Sequence, residues 1–229
     1  VLRYDIPFNY SKINNYAVAK STGEYLLLLN NDTEALSEGW IEAMVEQAQR
    51  PSIGAVGALL LYPDDTIQHA GVVIGMLGLA GHGHKNLPAT HPGYVGLLRS
   101  VQNYSAVTGA CLMTRRSVFD EVGGLDESLA IAFNDVDLCL KMCQAGYRNV
   151  FLPHVRLYHH ESRSRGTEDT SEKKSRFKNE INLMRSRWSA YIANDPCFNP
   201  NLTLTTEDFG LRIADEVRFR QSTLELIAP

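Results

Sequence analysis

Gly23-Glu24-Tyr25-Leu26-Leu27-Leu28-Leu29-Asn30-Asn31-Asp32-Thr33 is the stretch on which the reading of this chain turns. Tyr25 to Leu29 is an unbroken apolar run with the length of a strand and none of the alternation of a half-exposed one. A strand buried on both faces is therefore expected. It stops at Asn30-Asn31-Asp32, three side chains that carry oxygen. In open α/β sheets ligands collect beyond the carboxyl ends of the strands, so these three are the first candidate site residues. Hard oxygen donors there can hold Mg²⁺ or Mn²⁺. The same residues also suit a turn with a helix cap, and spacing alone leaves both readings open.

Upstream, Val1-Leu2-Arg3-Tyr4 reads as a strand from the first residue. Ser11 is placed to cap a helix through Ala19, with Ile13, Tyr16 and Ala17 on one face and Gly23 at its stop. Downstream, Ser37 is placed to cap a helix carrying Trp40, Ile41, Met44, Val45 and Ala48, closed by Pro51. Residues 55–62 form a second buried strand, residues 71–76 continue extended, and residues 78–98 are a long loop rich in Gly, Pro and His. Residues 106–114 are a third strand and 117–122 a short helix. Asn134 is placed to cap a helix with Val136, Leu140 and Cys143 inward. Residues 149–152 and 155–158 read as two short strands. From 171 to 193 the set Phe177, Ile181, Met184, Trp188, Tyr191 and Ile192 follows the helical period. Buried strands alternating with helices predict an α/β domain with a mostly parallel sheet.

Composition sets limits. The 229 residues carry 22 basic and 26 acidic side chains, a net charge of −4 that argues against a general polyanion binder, so no nucleic acid is expected. Hydrophobic residues at 44% suffice for a sizeable core and rule out global disorder. No apolar run approaches the ~20 residues of a transmembrane helix. No basic-then-apolar start is read. Cys111, Cys139, Cys143 and Cys197 form no C-x-x-C pair, and buried free thiols in a reducing, cytoplasmic setting are expected. Cys139 and Cys143, one helical turn apart, read as core packing.

Three more constellations carry possible chemistry. Asn134-Asp135-Val136-Asp137 opens a helix. Acidic residues there complement the helix dipole, and a carboxylate there can also face a cleft as general base. His159-His160 ends a strand, followed by Glu161-Ser162-Arg163-Ser164-Arg165-Gly166. Adjacent strand residues point to opposite faces, so one His reaches the cleft. His can ligate Mn²⁺ and Arg can meet phosphate, while a surface His and a basic loop explain the residues equally simply. His82 and His84 look like a ligand pair, but no matching Cys or Asp accompanies them.

As a set the motifs resemble a family-2 glycosyltransferase of the GT-A fold, in its bacterial surface-polysaccharide branch. The segments are Phe8 to Asn15, Gly23 to Thr33, Ile67-Gln68-His69-Ala70-Gly71, Thr108-Gly109-Ala110-Cys111, Gly123-Gly124-Leu125-Asp126-Glu127, Phe133 to Cys139 and Tyr158 to Ser162. They occur in the family's order over about residues 1–166. The resemblance implies a partial GT-A-like domain over 1–166 and a helical C-terminal extension over 167–229. It implies that Asp32 matches the final aspartate of the D-x-D metal motif, with Asn30 in place of the first. Asp135 matches the catalytic aspartate of the E-D motif, with Asn134 in place of Glu. His159 fits the C-terminal metal-binding His, with His160 as the other candidate. Gly109 and Ala110 match the segment lining the donor sugar, and Asn15, Asn30, Asn31 and Arg165 join the nucleotide-sugar site. The family's pattern has a strand, a helix and a nucleobase-contacting Asp ahead of the point where this chain starts.

The implied activity is metal-dependent, inverting transfer of a sugar from a nucleoside diphosphate, UDP favoured, to a saccharide or lipid-linked acceptor. Mn²⁺ or Mg²⁺ is the implied cofactor. The implied location is cytoplasmic, extending to peripheral association at the inner face of the membrane. A sheet lacking its first strands exposes an edge that invites a second copy, and a homodimer is expected, with the 177–192 helix in its interface. Two other functions fit less well. One is a catalytically reduced nucleotide-binding or interaction protein. The other is a nucleotidyltransferase, against which stands the lack of a Gly-rich phosphate loop with Lys.

Overall fold

The computed structural model describes residues 1–160 and 170–213. The chain order is α1 (Tyr10–Lys20), β1 (Tyr25–Leu29), β2 (Thr33–Ala35), α2 (Trp40–Ala48), β3 (Ile53–Leu61), β4 (Ile67–His69), β5 (Val72–Ile74), β6 (Ala80–His82), β7 (Gln102–Tyr104), β8 (Cys111–Arg115), α3 (Arg116–Glu121), α4 (Asn134–Gln144), β9 (Arg148–His159) and α5 (Ser171–Ala193). Seven strands form one sheet along the path β1-β8-β3-β9-β2, with β4 on β3 and β7 on β9. β5 and β6 make a separate hairpin.

The sheet is mixed, and the expected parallel majority is corrected. β3 and β9 run parallel. β1–β8, β2–β9, β3–β4, β3–β8, β7–β9 and β5–β6 run antiparallel. Apolar continuity reports that both faces of a strand are covered and carries no information about direction. β3 has that pattern in full, with all nine residues buried. β1 has it in part. Leu26 and Leu28 enter one core, Tyr25 and Leu27 lean on the other, and Leu29 is exposed. β1 is an outermost strand of the sheet path, paired with β8.

Residues expected as two short strands form one, β9, twelve residues long. Its register on β3 shifts between Ala58 opposite Leu152 and Leu59 opposite Arg156, so Pro153 to Val155 bulge out. Proline lacks an N–H, and a bulge is where a strand tolerates it. Other boundaries move for equally local reasons. Asn9, not Ser11, caps α1 by accepting from the Lys12 N–H at 2.9 Å, while Ser11 lies buried and donates to the Leu129 carbonyl at 2.7 Å. α2 starts after Gly39 in the left-handed region (φ 63°). Ser37 instead donates to the His154 carbonyl and accepts from the Arg156 N–H. α4 starts after Phe133, also left-handed (φ 62°), and Asn134 is its first residue rather than its cap. Val1 to Tyr4 form no strand, and Tyr4 stacks on Tyr16 at 4.2 Å. Within 106–114 only the part from Cys111 onward is strand, and β6 and a 3-10 segment (Tyr94–Arg99) occupy the expected long loop.

Two apolar layers sandwich the sheet. On one face α1, α3, α4 and α5 enclose Leu26, Leu28, Ala55 and Leu112. On the other α2 sets Met44 and Ala48 against Val56, Ala58 and Leu60. The apolar stripe of α5 is used within the chain. Met184 and Trp188 are buried, Ile181, Tyr191 and Ile192 pack beside them, and Phe177 stacks on Phe133. The stripe is therefore covered largely within the chain, without need of a second copy. Within the expected helical extension α5 is the helix, and the described residues after Ala193 contain no further one. They run irregularly along the β5–β6 hairpin, where Leu202 and Phe209 join a third cluster with Leu61 and Phe151. Asp195 fastens this segment by accepting from the Ile74 N–H, the Ser105 hydroxyl and the Cys197 N–H.

A buried charge anchors α5. The Asp137 carboxylate is fully buried and its Oδ1 accepts from Arg187 Nη1 at 2.7 Å and Trp188 Nε1 at 2.9 Å. Lys141 Nζ lies 3.5 Å from Oδ2, and Arg187 also reaches Asp126 at 2.7 Å. Burial opposes ionisation of Asp126, but hydrogen bonds from Ser128 and Arg187 hold its carboxyl down to about 2. Asp137→Asn leaves cations facing a neutral amide. Removing one partner of a buried pair costs about 3–5 kcal/mol. Urea denaturation should show a loss of that order, with faster amide exchange in α5.

Candidate functional site

β1, β2, β4 and β9 bring four polar side chains together at one end of the sheet. β2 pairs with β9 so that Thr33 faces His159, and the His160 N–H donates to the Asp32 carbonyl at 2.9 Å. This places Asp32 Oδ1 3.2 Å from His159 Nε2. Asn30 Nδ2 is 3.1 Å from the same nitrogen. Behind the ring, His159 Nδ1 lies 2.6 Å from Gln68 Oε1, while Gln68 Nε2 donates to the His159 carbonyl at 3.3 Å. The second contact orients the amide, so Oε1 faces Nδ1 and the ring proton sits on Nδ1. Nε2 then presents its lone pair, toward which Asn30 donates. Asp32 Oδ1 is buried and accepts no hydrogen bond. With the ring neutral two acceptors converge, an arrangement that a cation, whether a proton on Nε2 or a metal ion, relieves. The donor set fits a divalent metal with Asp32 and His159 as protein ligands. Among the described residues no cluster of three or more His, Cys, Asp or Glu side chains forms, so further ligands would come from elsewhere.

His160 is not in this group. Its Nε2 lies 3.5 Å from Glu34 Oε2, on the opposite side of the strand, as alternation requires. Asn31 is exposed at the turn. Asn15 is committed elsewhere: its amide donates to the Leu125 carbonyl at 2.9 Å and accepts from the Leu125 N–H at 3.1 Å. It clamps the 124–127 loop rather than joining the cluster. Arg165 lies outside the described residues.

A three-residue strap, Thr108-Gly109-Ala110, leads from this cluster to Asp135. The Ala110 carbonyl accepts from the Asn30 N–H at 3.0 Å. The Gly109 N–H donates to Asp135 Oδ2 at 2.8 Å, and the Gly109 carbonyl accepts from the Tyr10 hydroxyl at 2.8 Å. The Thr108 N–H meets His69 Nε2 at 3.4 Å, the Ala110 N–H meets Thr108 Oγ1 at 3.3 Å, and the Thr108 carbonyl accepts from the Cys111 N–H at 3.3 Å. Every main-chain polar group of the strap is thereby tied. Asp135, half-buried on the first turn of α4, accepts from its neighbour's Val136 N–H through Oδ1. Asn134 does not share the capping task. Its amide donates to the Ile131 carbonyl. Asp137, one step further, faces the core and belongs to the anchor of α5.

His82 and His84, which look like a ligand pair in the sequence, are split. His82 meets His69, Nδ1 to Nδ1, at 2.8 Å. His84 stacks on Phe209 at 4.0 Å and accepts from the Tyr94 N–H, and burial pushes its imidazole down to about 4. Cys111 and Cys139 are buried as expected, whereas Cys143 is partly buried and Cys197 exposed, which corrects the expectation of buried thiols at all four positions. Burial raises Cys111 and Cys143 to about 12, and Cys139 donates to the Val107 carbonyl. Sequence reasoning assigned no role to Gln68, His69 or Tyr10. The signal for the first two was present: a polar pair inside Ile67–His69, a strand whose three residues are all buried.

Gly109 has no room for a side chain. A Cβ there would lie 2.9 Å from the Tyr10 hydroxyl and 3.3 Å from Asp135 Cβ. Overpacking costs about 1–3 kcal/mol, so Gly109→Ala should lower the denaturation midpoint accordingly. Gly109→Ala combined with Tyr10→Phe should be more stable than the sum of the two single changes, because the hydroxyl that clashes is gone. Strict additivity in denaturant titrations would contradict this packing.

The Glycosyl transferase family 2 profile matches residues 4–123, and the Glycosyl transferase family group 2 profile matches residues 94–218. The chain is 56% identical over 212 residues to "Uncharacterized protein y4gI" of Sinorhizobium fredii, covering 92% of this chain and 23% of that protein. It is 43% identical over 223 residues to "O-antigen biosynthesis protein RfbC" of Myxococcus xanthus, covering 92% of this chain and 16% of that one. It is 28% identical to an N-acetylglucosaminyl-diphospho-decaprenol L-rhamnosyltransferase of Mycobacterium tuberculosis, over 73% of this chain and 57% of the relative. The chain thus spans less than a quarter of the length of the first two. Among solved structures, GalNAc-T7 with UDP, GalNAc and Mn²⁺ superposes with a TM-score of 0.63 at 16% identity, over 98% of this chain and 43% of that one. That likeness shows the GT-A fold. The first family profile alone matches more than half of the chain, and the chain belongs to glycosyl transferase family 2.

Proposed function

We propose that this chain is the transfer domain of a metal-dependent, inverting glycosyltransferase. It moves a sugar from a nucleoside diphosphate, UDP favoured, to a saccharide or lipid-linked acceptor during bacterial surface-polysaccharide synthesis. The observation that carries this is the pairing of Asp32 Oδ1 with His159 Nε2 at 3.2 Å, joined through one tied strap to Asp135. The relatives support the class of reaction: one is named for O-antigen biosynthesis and another for rhamnosyl transfer to a diphospho-decaprenol. GalNAc-T7, of the same fold, was solved with UDP and Mn²⁺.

Mn²⁺ or Mg²⁺, when bound, neutralises charge on the departing diphosphate. Asp32 and His159 would hold it, and Gln68 fixes the His159 tautomer that leaves Nε2 available. Asn30, and Asn31 at the exposed turn, keep the site less anionic than a pair of carboxylates would. Gly109 and Ala110 present main chain toward the donor sugar. Asp135 takes the proton of the acceptor hydroxyl as that oxygen attacks the anomeric carbon from the face opposite the diphosphate. Arg165 belongs to this reading by its place in the motif. No helix of the described residues is long and apolar enough to cross a membrane. Action at the cytoplasmic face of the membrane follows from a lipid-linked acceptor. A second copy pairing along the outer edge of β1 completes the reading, and sedimentation as a monomer at micromolar concentration would remove it.

A second reading has its own observation. Both Asp135 oxygens already accept main-chain N–H groups, from Gly109 and Val136, which suits a clamp in a domain that binds nucleotide without turnover. Transfer assays over a panel of nucleotide sugars separate the two. Asp135→Asn should leave UDP binding intact and lower turnover about 10²–10⁴-fold. Asp32→Ala should abolish metal-dependent UDP binding, and Gln68→Leu should weaken Mn²⁺ binding about 10–100-fold. UDP affinity indifferent to both chelator and Asp32→Ala would overturn the metal assignment.

A further inference from the structure

His69 ends β4 and is 1% exposed. Its Nε2 faces two main-chain donors, the Gly71 N–H at 3.3 Å and the Thr108 N–H at 3.4 Å. A nitrogen that meets N–H groups carries a lone pair, so the proton of the neutral ring is on Nδ1. Nδ1 lies 2.8 Å from His82 Nδ1, with the rings edge to face at 83°. His82 Nδ1 must then accept, and the His82 proton is on Nε2. Burial holds His69 well below the usual imidazole range, with the nearby His82 and His159 acting the same way, which agrees with a neutral ring. His82 is half-buried on β6 and its N–H donates to Glu207 Oε1 at 3.0 Å. One directional chain of hydrogen bonds, each donated toward the β5–β6 hairpin, therefore links the strap to it. The hairpin and the residues leading into the strap also meet directly, where the Val72 N–H donates to the Ala106 carbonyl at 2.9 Å.

We propose that His69 and His82 are a positioning pair for the donor sugar, holding the Thr108–Gly109–Ala110 strap at its working distance from Asp135. His82 accepts from His69, which sets the His69 tautomer. That tautomer offers Nε2 to the Thr108 N–H, and the strap is held at one end by His69 and in its middle by Asp135. The pair touches neither the reacting atoms nor Asp32, so it acts through the strap alone. This inference rests on the reading that the strap faces the donor sugar.

Two substitutions separate the halves of the ring. Gln places an acceptor near the position of Nε2, while Asn places its amide near Nδ1 and leaves the Thr108 N–H without a partner. By NMR on the full chain, His69→Asn should speed amide exchange at Thr108 about tenfold, the scale of one lost hydrogen bond, and His69→Gln should restore most of it. Side-chain nitrogen shifts of the unaltered protein should report His69 as the Nδ1–H form and His82 as the Nε2–H form. With Mn²⁺ present, His69→Asn should weaken UDP-glucose binding about tenfold relative to UDP alone, while the Mn²⁺ affinity of the protein stays unchanged. A His69 proton on Nε2, or equal exchange in the Asn and Gln variants, overturns the pair. A loosened strap with an unchanged ratio of UDP-glucose to UDP affinity overturns its role toward the sugar. If His69→Asn does not fold, the tautomers of the unaltered protein and the exchange in His69→Gln decide. The exchange and tautomer measurements need no donor. A protein that binds neither UDP nor UDP-glucose would fail the proposed function without touching them.

Discussion

The parallel pairing of β3 with β9 is the constraint on which the rest depends. All nine residues of β3 are buried, so both its faces must be covered by packed elements, helices over most of its length and the hairpin and 202–209 segment at its end, and both its edges by strands. Its neighbours are β8 on one side and β9 on the other. Parallel strands need a long crossover. Here the crossover contains the hairpin, β8, α3 and α4, the same elements that supply the strap and Asp135. The end of β9 carries His159, and β2 pairs there to bring Asp32 beside it. The candidate site is thus a consequence of where β9 ends relative to β1 and β4.

Polar groups near the site are held by one another. Gln68 sets the His159 ring, His69 and Asp135 hold the strap, and Tyr10 closes it from α1. Networks of this kind are stiff when every member is satisfied, and a single unpaired atom then stands out. Asp32 Oδ1 is such an atom, buried without a donor beside the Nε2 lone pair. A second network at Asp137 serves a different end. It joins α4 to α5 through Arg187 and Trp188, so α5 completes the core on the face from which Asp135 emerges. Two acidic residues separated by one position in the sequence therefore do unrelated work. A helical step of two residues turns the side chain by about 200°.

Several features were legible in the sequence because they depend on local chemistry alone. The run Tyr25 to Leu29 ends where Asn30-Asn31-Asp32 begins, and a strand with a polar corner follows directly. Asp135 at a helix start, a single inward His of the pair 159–160, and core thiols at Cys139 and Cys143 follow from periodicity in the same way. The order of weak motifs along the chain was enough to indicate the family. Where local signals competed, the sequence was ambiguous. Asn9 and Ser11 are both good caps, and the choice between them was made by Leu129, whose carbonyl takes the Ser11 hydroxyl.

By itself, then, the sequence determined which segments are apolar enough to be strands, which polar residues follow them, and which family pattern they make. Only the tertiary structure decided strand direction, because apolar continuity is the same in parallel and antiparallel strands. It alone decided that Asn15 clamps Leu125, that His82 and His84 part company, and that Gln68 and His69 stand behind the site. Each of those outcomes depends on a partner far away in the chain, and a side chain's own chemistry does not say which distant group will be within hydrogen-bond reach.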